Sequence, residues 1–272
     1  MDRQEFLQQL DARIAKYDLL CHPYYKAWSA GELTREDLRE YALDYYQHVA
    51  AFPAYLAAFG IRLEEGELRQ AVLANMRDEQ GGETAAGADG ESHADLWLDF
   101  AEGMGASRNR FGRESVKEVS ELVTHFMDVA STGTPEEALA AFYAYESQVP
   151  RVAAEKNRGL REMYGADERT ARYFALHTTA DVYHSNVWKE QLAKRVEADP
   201  SRAESALTAA EGGTGFKFAF ERSGERDDEE VSGGIECYGE DAERGELKED
   251  AAPLGRDELW NEGEEEKRGF GI

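Results

Sequence analysis

Cysteine is nearly absent from this chain. The two present in 272 residues, Cys21 and Cys237, lie far apart in different compositional zones and suggest neither a metal pair nor a redox pair. Thiolate-held structural zinc is thereby disfavoured, and a reducing, cytoplasmic setting is the natural expectation. Lysine is scarce as well, 9 against 22 arginines, and the 31 basic residues face 56 acidic ones, for a net charge of −25. Binding a phosphate backbone or an anionic bilayer requires a basic face, so neither nucleic acid nor a membrane is an expected partner. Acid spread this densely suits a high-salt, halophilic interior, because carboxylates keep water and cations at the surface. The longest uncharged apolar run, Val49 to Ile61, is 13 residues, whereas a spanning helix needs about 20. The opening MDRQEFLQQLDARIAK has acids from position 2 and no apolar centre, unlike a signal peptide. Gly-rich phosphate loops, GxSxG elbows and CxxC pairs are missing too.

What remains is helical. Through the first 210 residues apolar positions recur at i, i+3, i+4 and i+7, which predicts helices near 3–17, 19–28, 34–61, 66–80, 92–104, 115–130, 135–163, 167–196 and 200–210. Thr34 with Asp37, Ser92 with Asp95, and Ser115 with Glu118 resemble capping boxes, and Thr134-Pro135-Glu136-Glu137 places a cap, a first-turn proline and acids together. Pro53 and Pro150 fall inside long periodic segments and are expected to kink them. Alternating β-branched runs do not occur, so residues 1–212 read as one all-α domain. From Gly213 to the end, 19 acidic and 8 basic residues among many glycines predict a disordered acidic tail, 213–272. Its alternative reading is a docking peptide built on Phe216, Phe218, Phe220 or Trp260.

The sharpest chemical signal is His177-Thr-Thr-Ala-Asp181-Val-Tyr-His184. On one continuous helix these three side chains fall within about 60° of each other, beside an apolar stripe. Burying an aspartate between two imidazoles without a cation is costly, which favours a metal. Bundle metal sites draw further ligands from facing helices. Glu146 stands alone in a strongly apolar run, Glu79 ends one helix, and His93 opens another. Together Glu79, His93, Glu146, His177, Asp181 and His184 make an N/O donor set for two hard-to-borderline divalent ions such as iron or manganese. Glu121 and His125, four apart, read as a solvated or structural pair, and His22 and His48 as structural.

Five separated motifs carry a family resemblance: HPYYKAW (22–28), GELTREDLREYALDYYQHVAAFPAYL (31–56), DEQGGE with SHADLW (78–83 and 92–97), YAYESQVPRVAAEKNRGL (143–160) and HTTADVYH (177–184). They resemble the CADD proteins, haem-oxygenase-like di-metal oxidases related to the TenA and PqqC proteins, over roughly residues 5–195. The resemblance implies a seven-helix haem-oxygenase-like bundle and an O2-activating site of two transition-metal ions, Fe/Fe or Fe/Mn, held by the six residues above and supplied by an external reductant. It further implies p-aminobenzoate synthesis for folate, by oxidative excision of the protein's own tyrosine. Tyr25 corresponds to that tyrosine, Lys156 to the amino-nitrogen donor and Tyr41 to a further active-site tyrosine. Residue by residue, Tyr25 and Tyr41 would pass as core aromatics and Lys156 as an exposed helix lysine. On one continuous helix, though, Lys156 sits less than a quarter turn from Glu146 and could line the same cavity. Two departures stand out. Glu79 and His93 are fourteen residues apart where the family has seven, and Gln80 replaces a glutamate. A loop bulging outward between helix ends adds little entropic cost.

Other readings remain open from sequence. A conventional catalyst on the same scaffold would be a TenA-type thiaminase, which needs a bundle cysteine, or a PqqC-like oxidase, which has no use for six ligands. A regulatory protein acting through its acidic tail is the rival of another class. A homodimer is expected, paired through the aromatic positions Tyr45, Tyr46, Phe52 and Tyr55 along one long helix.

Overall fold

The computed structural model describes residues 1–82, 90–111 and 115–214. Among these it contains eleven α-helices and no strand: α1 (Arg3–Ala15), α2 (Pro23–Ala30), α3 (Arg35–Gly60), α4 (Glu67–Glu79), α5 (His93–Gly103), α6 (Lys117–Thr132), α7 (Pro135–Glu146), α8 (Val149–Glu162), α9 (Glu168–His177), α10 (Ala180–Ala198) and α11 (Ala203–Thr214). The expected tail lies outside the described residues from Gly215 on, and so do Phe216, Phe218, Phe220 and Trp260. No helix among the described residues is long and apolar enough to cross a membrane.

Most helix starts follow the sequence signals. Thr34 and Thr134 form full capping boxes with Asp37 and Glu137, and Ser92 accepts the Asp95 N–H. Ser115 does not cap. α6 begins at Lys117 after an uncapped Val116, and the Ser115 hydroxyl donates to Gln47 Oε1 at 3.1 Å instead. Pro53 is carried inside an unbroken α3.

Two expected long helices are broken, and both breaks have local causes. Pro150 lacks an N–H, and its ring opposes the carbonyl four residues earlier, that of Glu146. The helix therefore ends at Glu146, and α8 restarts with Pro150 in its first turn. In the second case Thr178 and Thr179 donate their hydroxyls back to the Ala175 and Leu176 carbonyls, at 2.7 and 3.2 Å. Such side-chain bonds compete with the backbone ladder, and α9 stops at His177. His177 therefore does not share one continuous helix face with Asp181 and His184.

α3 packs on α4, α5 and α6; α7 packs on α10 and α11; α9 links α5 to α8. The core between them is aromatic, with Trp28, Trp97, Trp188, Tyr41, Tyr55, Phe59, Phe100, Phe126 and Phe142 all essentially without exposure. Tyr45, Phe52 and Tyr55 are buried in this core and Tyr46 packs against its edge, so the helix expected to offer a subunit face spends those rings inside its own chain. Cys21 ends a short turn before α2, and the other cysteine, Cys237, lies outside the described residues.

Candidate metal centre

The six candidate ligands come from helix ends. Glu79 is the last residue of α4, His93 the first of α5, Glu146 the last of α7 and His177 the last of α9; Asp181 and His184 open α10. All six are buried, and they gather into two triads: Glu79, His93 and His177 in one, Glu146, Asp181 and His184 in the other, with one donor atom from each residue within 4.8 Å of the others in its triad. The breaks described above set this division, since His177 turns toward α4 and α5 while Asp181 and His184 turn toward α7. A small cavity of about 20 Å³ adjoins both triads, lined by Glu79, Glu146, His177 and Asp181 together with His48 and Tyr145. His93 reaches Glu79 despite the fourteen-residue separation; residues 83–89 of the insert lie outside the described residues.

Neighbouring groups orient the donors. His177 Nδ1 faces the Tyr173 carbonyl at 2.6 Å, which leaves Nε2 for the triad. His184 Nε2 bonds to Asp78 Oδ2 at 3.0 Å, which leaves Nδ1. Trp188 Nε1–H donates to Glu146 Oε2, and Asn75 Nδ2 donates to Glu146 Oε1 at 3.4 Å. Burial pushes the Glu146 carboxyl up to about 8, with His184 opposing and Asp181 and Glu79 adding to the rise. Burial also lowers His184, but the Asp181 carboxylate, 3.6 Å from Nδ1, and the hydrogen bond of Nε2 to Asp78 outweigh it and raise the imidazole to about 11. For His93 burial is likewise overcome, by the Glu79 carboxylate, and the net shift is upward; the Glu79 carboxyl moves down in return. Burial leaves His177 lowered.

Three donor atoms of the cluster, His93 Nδ1, Asp181 Oδ2 and His184 Nδ1, are buried without a hydrogen-bond partner among the described residues. His93 Nδ1 lies 2.9 Å from Glu79 Oε2, yet out of line for a hydrogen bond. Potential ligand atoms that converge without satisfying each other are the arrangement a cation needs. Three carboxylates and three imidazoles with no thiolate suit iron or manganese, so the donor set fits the group that the sequence implied.

Next to this cluster, but not lining its cavity, lies an aromatic compartment around Lys156. Lys156 is 6% exposed where an exposed lysine would pass unremarked from sequence. Its Nζ donates to Tyr41 OH at 2.6 Å and lies 4.5 and 4.6 Å from the Tyr25 and Tyr41 ring centroids. Burial holds the amine well below its ordinary value. Burial likewise raises the Tyr25 phenol to about 12, a hydrogen bond with Tyr41 offsetting part of the rise, and lifts Tyr41 further. Both phenols keep their protons. α2, which carries Tyr25, is fixed by His22, whose Nδ1 accepts the Tyr24 N–H, and by Trp28, whose indole donates to the Lys156 carbonyl.

The remaining sequence candidates stay outside the cluster. Glu121 is solvated and pairs with Lys117 at 3.2 Å. Asp78, Asn75, Trp188 and Tyr173 were not anticipated. Faint signals existed: Asp78 precedes Glu79, Asn75 lies one turn before it, Trp188 one turn after His184 and Tyr173 one turn before His177.

The model of a family described as iron-containing redox enzymes matches residues 39–213. Similar sequences include the 4-aminobenzoate synthase of Chlamydia muridarum, 41% identical over 182 residues, covering 66% of this chain and 74% of the relative. That of Chlamydia trachomatis is 36% identical over 79% of this chain and 90% of the relative, and that of Nitrosomonas europaea 36% over 75% and 85%. Among solved structures, a TenA homologue from Pseudomonas syringae superimposes with a TM-score of 0.65 at 17% identity, covering 78% of this chain and 88% of that one. A domain with a haem-oxygenase-like fold from Shewanella denitrificans gives 0.59 at 14% identity, over 78% and 84%. At those identities the structural likeness speaks for the fold.

Proposed function

The chain belongs to the family of iron-containing redox enzymes, and from that premise we propose that it is a p-aminobenzoate synthase that consumes its own tyrosine, using O2, an external reductant and two transition-metal ions, both iron or one iron and one manganese. Metal held by the six residues supplies the electrons that make O2 an oxidant. The chain's own residues do the rest. Tyr25 provides the ring carbons, Lys156 the amino nitrogen, and Tyr41 takes the hydrogen bond that holds the Lys156 amine against the Tyr25 ring. The aromatic walls exclude water, and that exclusion disfavours the charged amine and so favours the form with a free lone pair.

The observation that carries this reading is the buried Lys156 amine 4.5 Å from the Tyr25 ring centroid, its pKa lowered by burial, beside the buried ligand cluster. A lysine is costly to bury, and a structural role alone does not call for one. The similarity of the chain to several 4-aminobenzoate synthases supports the same product.

The test is isotopic. Metal-loaded protein made with ring-labelled tyrosine, given O2 and a reductant, should release labelled p-aminobenzoate at no more than one per chain, with the matching mass loss at residue 25. Tyr25→Phe and Lys156→Ala should each stop release while keeping metal. The cavity favours one second reading, an oxygenase acting on a small external molecule. Many equivalents of product from an added substrate, with residue 25 intact, would decide for it.

A further inference from the structure

His48 on α3 is wholly buried, and sequence alone gives it a place in an aromatic stripe. One edge of the ring fits that description. Tyr45, Phe52, Tyr55, Phe126 and Tyr145 surround the imidazole with ring centroids 5.1–5.9 Å away, and Nδ1 faces Tyr55 OH at 3.4 Å. The other edge does not. Nε2 is buried and has no hydrogen-bond partner among the described residues. His48 also lines the cavity that Glu79, Glu146, His177 and Asp181 line.

An unpaired nitrogen in an apolar interior is destabilising, and phenylalanine would fill the stripe without it. The nitrogen is therefore explained by what enters the cavity. The Tyr55 phenol, held protonated by burial, can donate to Nδ1, and a neutral imidazole that accepts there carries its single proton on Nε2. Nε2–H is then a donor with no protein acceptor among the described residues, on a ring that lines the same small cavity as four of the candidate ligands, and that space suits a ligand of two or three atoms with a hydrogen-bond acceptor at its far end.

We propose that His48 Nε2–H is the hydrogen-bond donor for a dioxygen-sized ligand held in the cavity between the two triads. The inference rests on the reading that the six residues hold metal, and its test separates the two. Iron-loaded protein is titrated with azide, a small anion that accepts a hydrogen bond, and binding is followed through the azide-to-iron charge-transfer absorption, with metal content measured in the same samples. His48→Phe should keep its metal yet bind azide at least tenfold more weakly, while His48→Gln, which retains an N–H, should stay within about threefold of the parent chain. Equal azide affinity in His48→Phe with full metal content overturns the proposal. Failure of the parent chain to hold iron overturns the metal reading and the proposal with it. Should His48→Phe lose its fold, the unmodified chain still decides: in zinc-loaded, 15N-histidine-labelled protein the His48 Nε2–H resonance should move on adding azide, and an unmoved resonance under saturating azide refutes the contact.

Discussion

Loading the site with metal should expel about two protons per chain at neutral pH, a consequence of how the cluster balances its buried charge. Ligation requires neutral imidazoles and ionised carboxylates. Without metal, His184 is raised to about 11 and Glu146 is pushed up to about 8, so each holds a proton at pH 7 that a cation must displace. His177 is lowered and has none to give. The sign follows directly: metal competes with protons, so affinity rises with pH. With about two protons displaced, the overall loading constant should fall on the order of a hundredfold between pH 7 and pH 6, a factor of ten per proton. Above pH 8 Glu146 surrenders its proton before metal arrives, and the release should drop toward about one. Anaerobic titration calorimetry of stripped protein with ferrous or manganous ion, repeated at pH 7 in buffers of different ionisation enthalpy, gives the proton count from the slope. A release below one proton per chain at full loading would refute this account, because the metal-free cluster would then be balancing its charge without bound protons.

Three further outcomes follow from contacts already described. Asp78→Ala removes the partner of His184 Nε2 and should weaken metal binding by about 10–100-fold, measured by equilibrium dialysis; an unchanged constant would mean that Asp78 does not orient the imidazole. Lys156→Met should raise stability in urea at pH 7 while abolishing product. The folded amine is depressed below its unfolded value, so the parent chain's stability should climb between pH 7 and 10 and the variant should lack that slope. Gly159→Ala places a Cβ 2.9 Å from the Trp28 ring and should cost about 1–3 kcal/mol by thermal or urea unfolding, with metal content retained.

The members of the candidate ligand cluster were legible in the sequence, and their geometry was not. Periodicity exposes a charge where an apolar stripe should continue, and Glu146, Asp181 and His184 are such interruptions. The inference that His177, Asp181 and His184 share a helix face picked residues that the structure does bring together, but through a helix that does not exist as drawn: the break after His177 assigns it to a different triad. The same holds for the angular relation of Lys156 to Glu146, computed across a helix that Pro150 ends. Lys156 is buried, though in the compartment next to the cavity instead of in its wall. Asp78 and Trp188 escaped because they act across 106 and 42 residues, where no spacing rule reaches.

One physical constraint connects these cases. The interior of a helix presents its side chains along a stripe that advances 5.4 Å per turn, so three ligands on one stripe spread over nearly two turns and cannot close on a single ion without help. Helix ends escape that limit, since the chain can turn there and send neighbouring residues to different partners. Glu79, His93, Glu146 and His177 each occupy a helix terminus, and Asp181 and His184 lie in the opening turns of α10. The residues that end helices around this site, Pro150 and the Thr178–Thr179 pair, thus shape it without touching it. A periodicity scan registers them as irregularities in an otherwise helical pattern, and here those irregularities are what let six ligands from five helices meet in two triads.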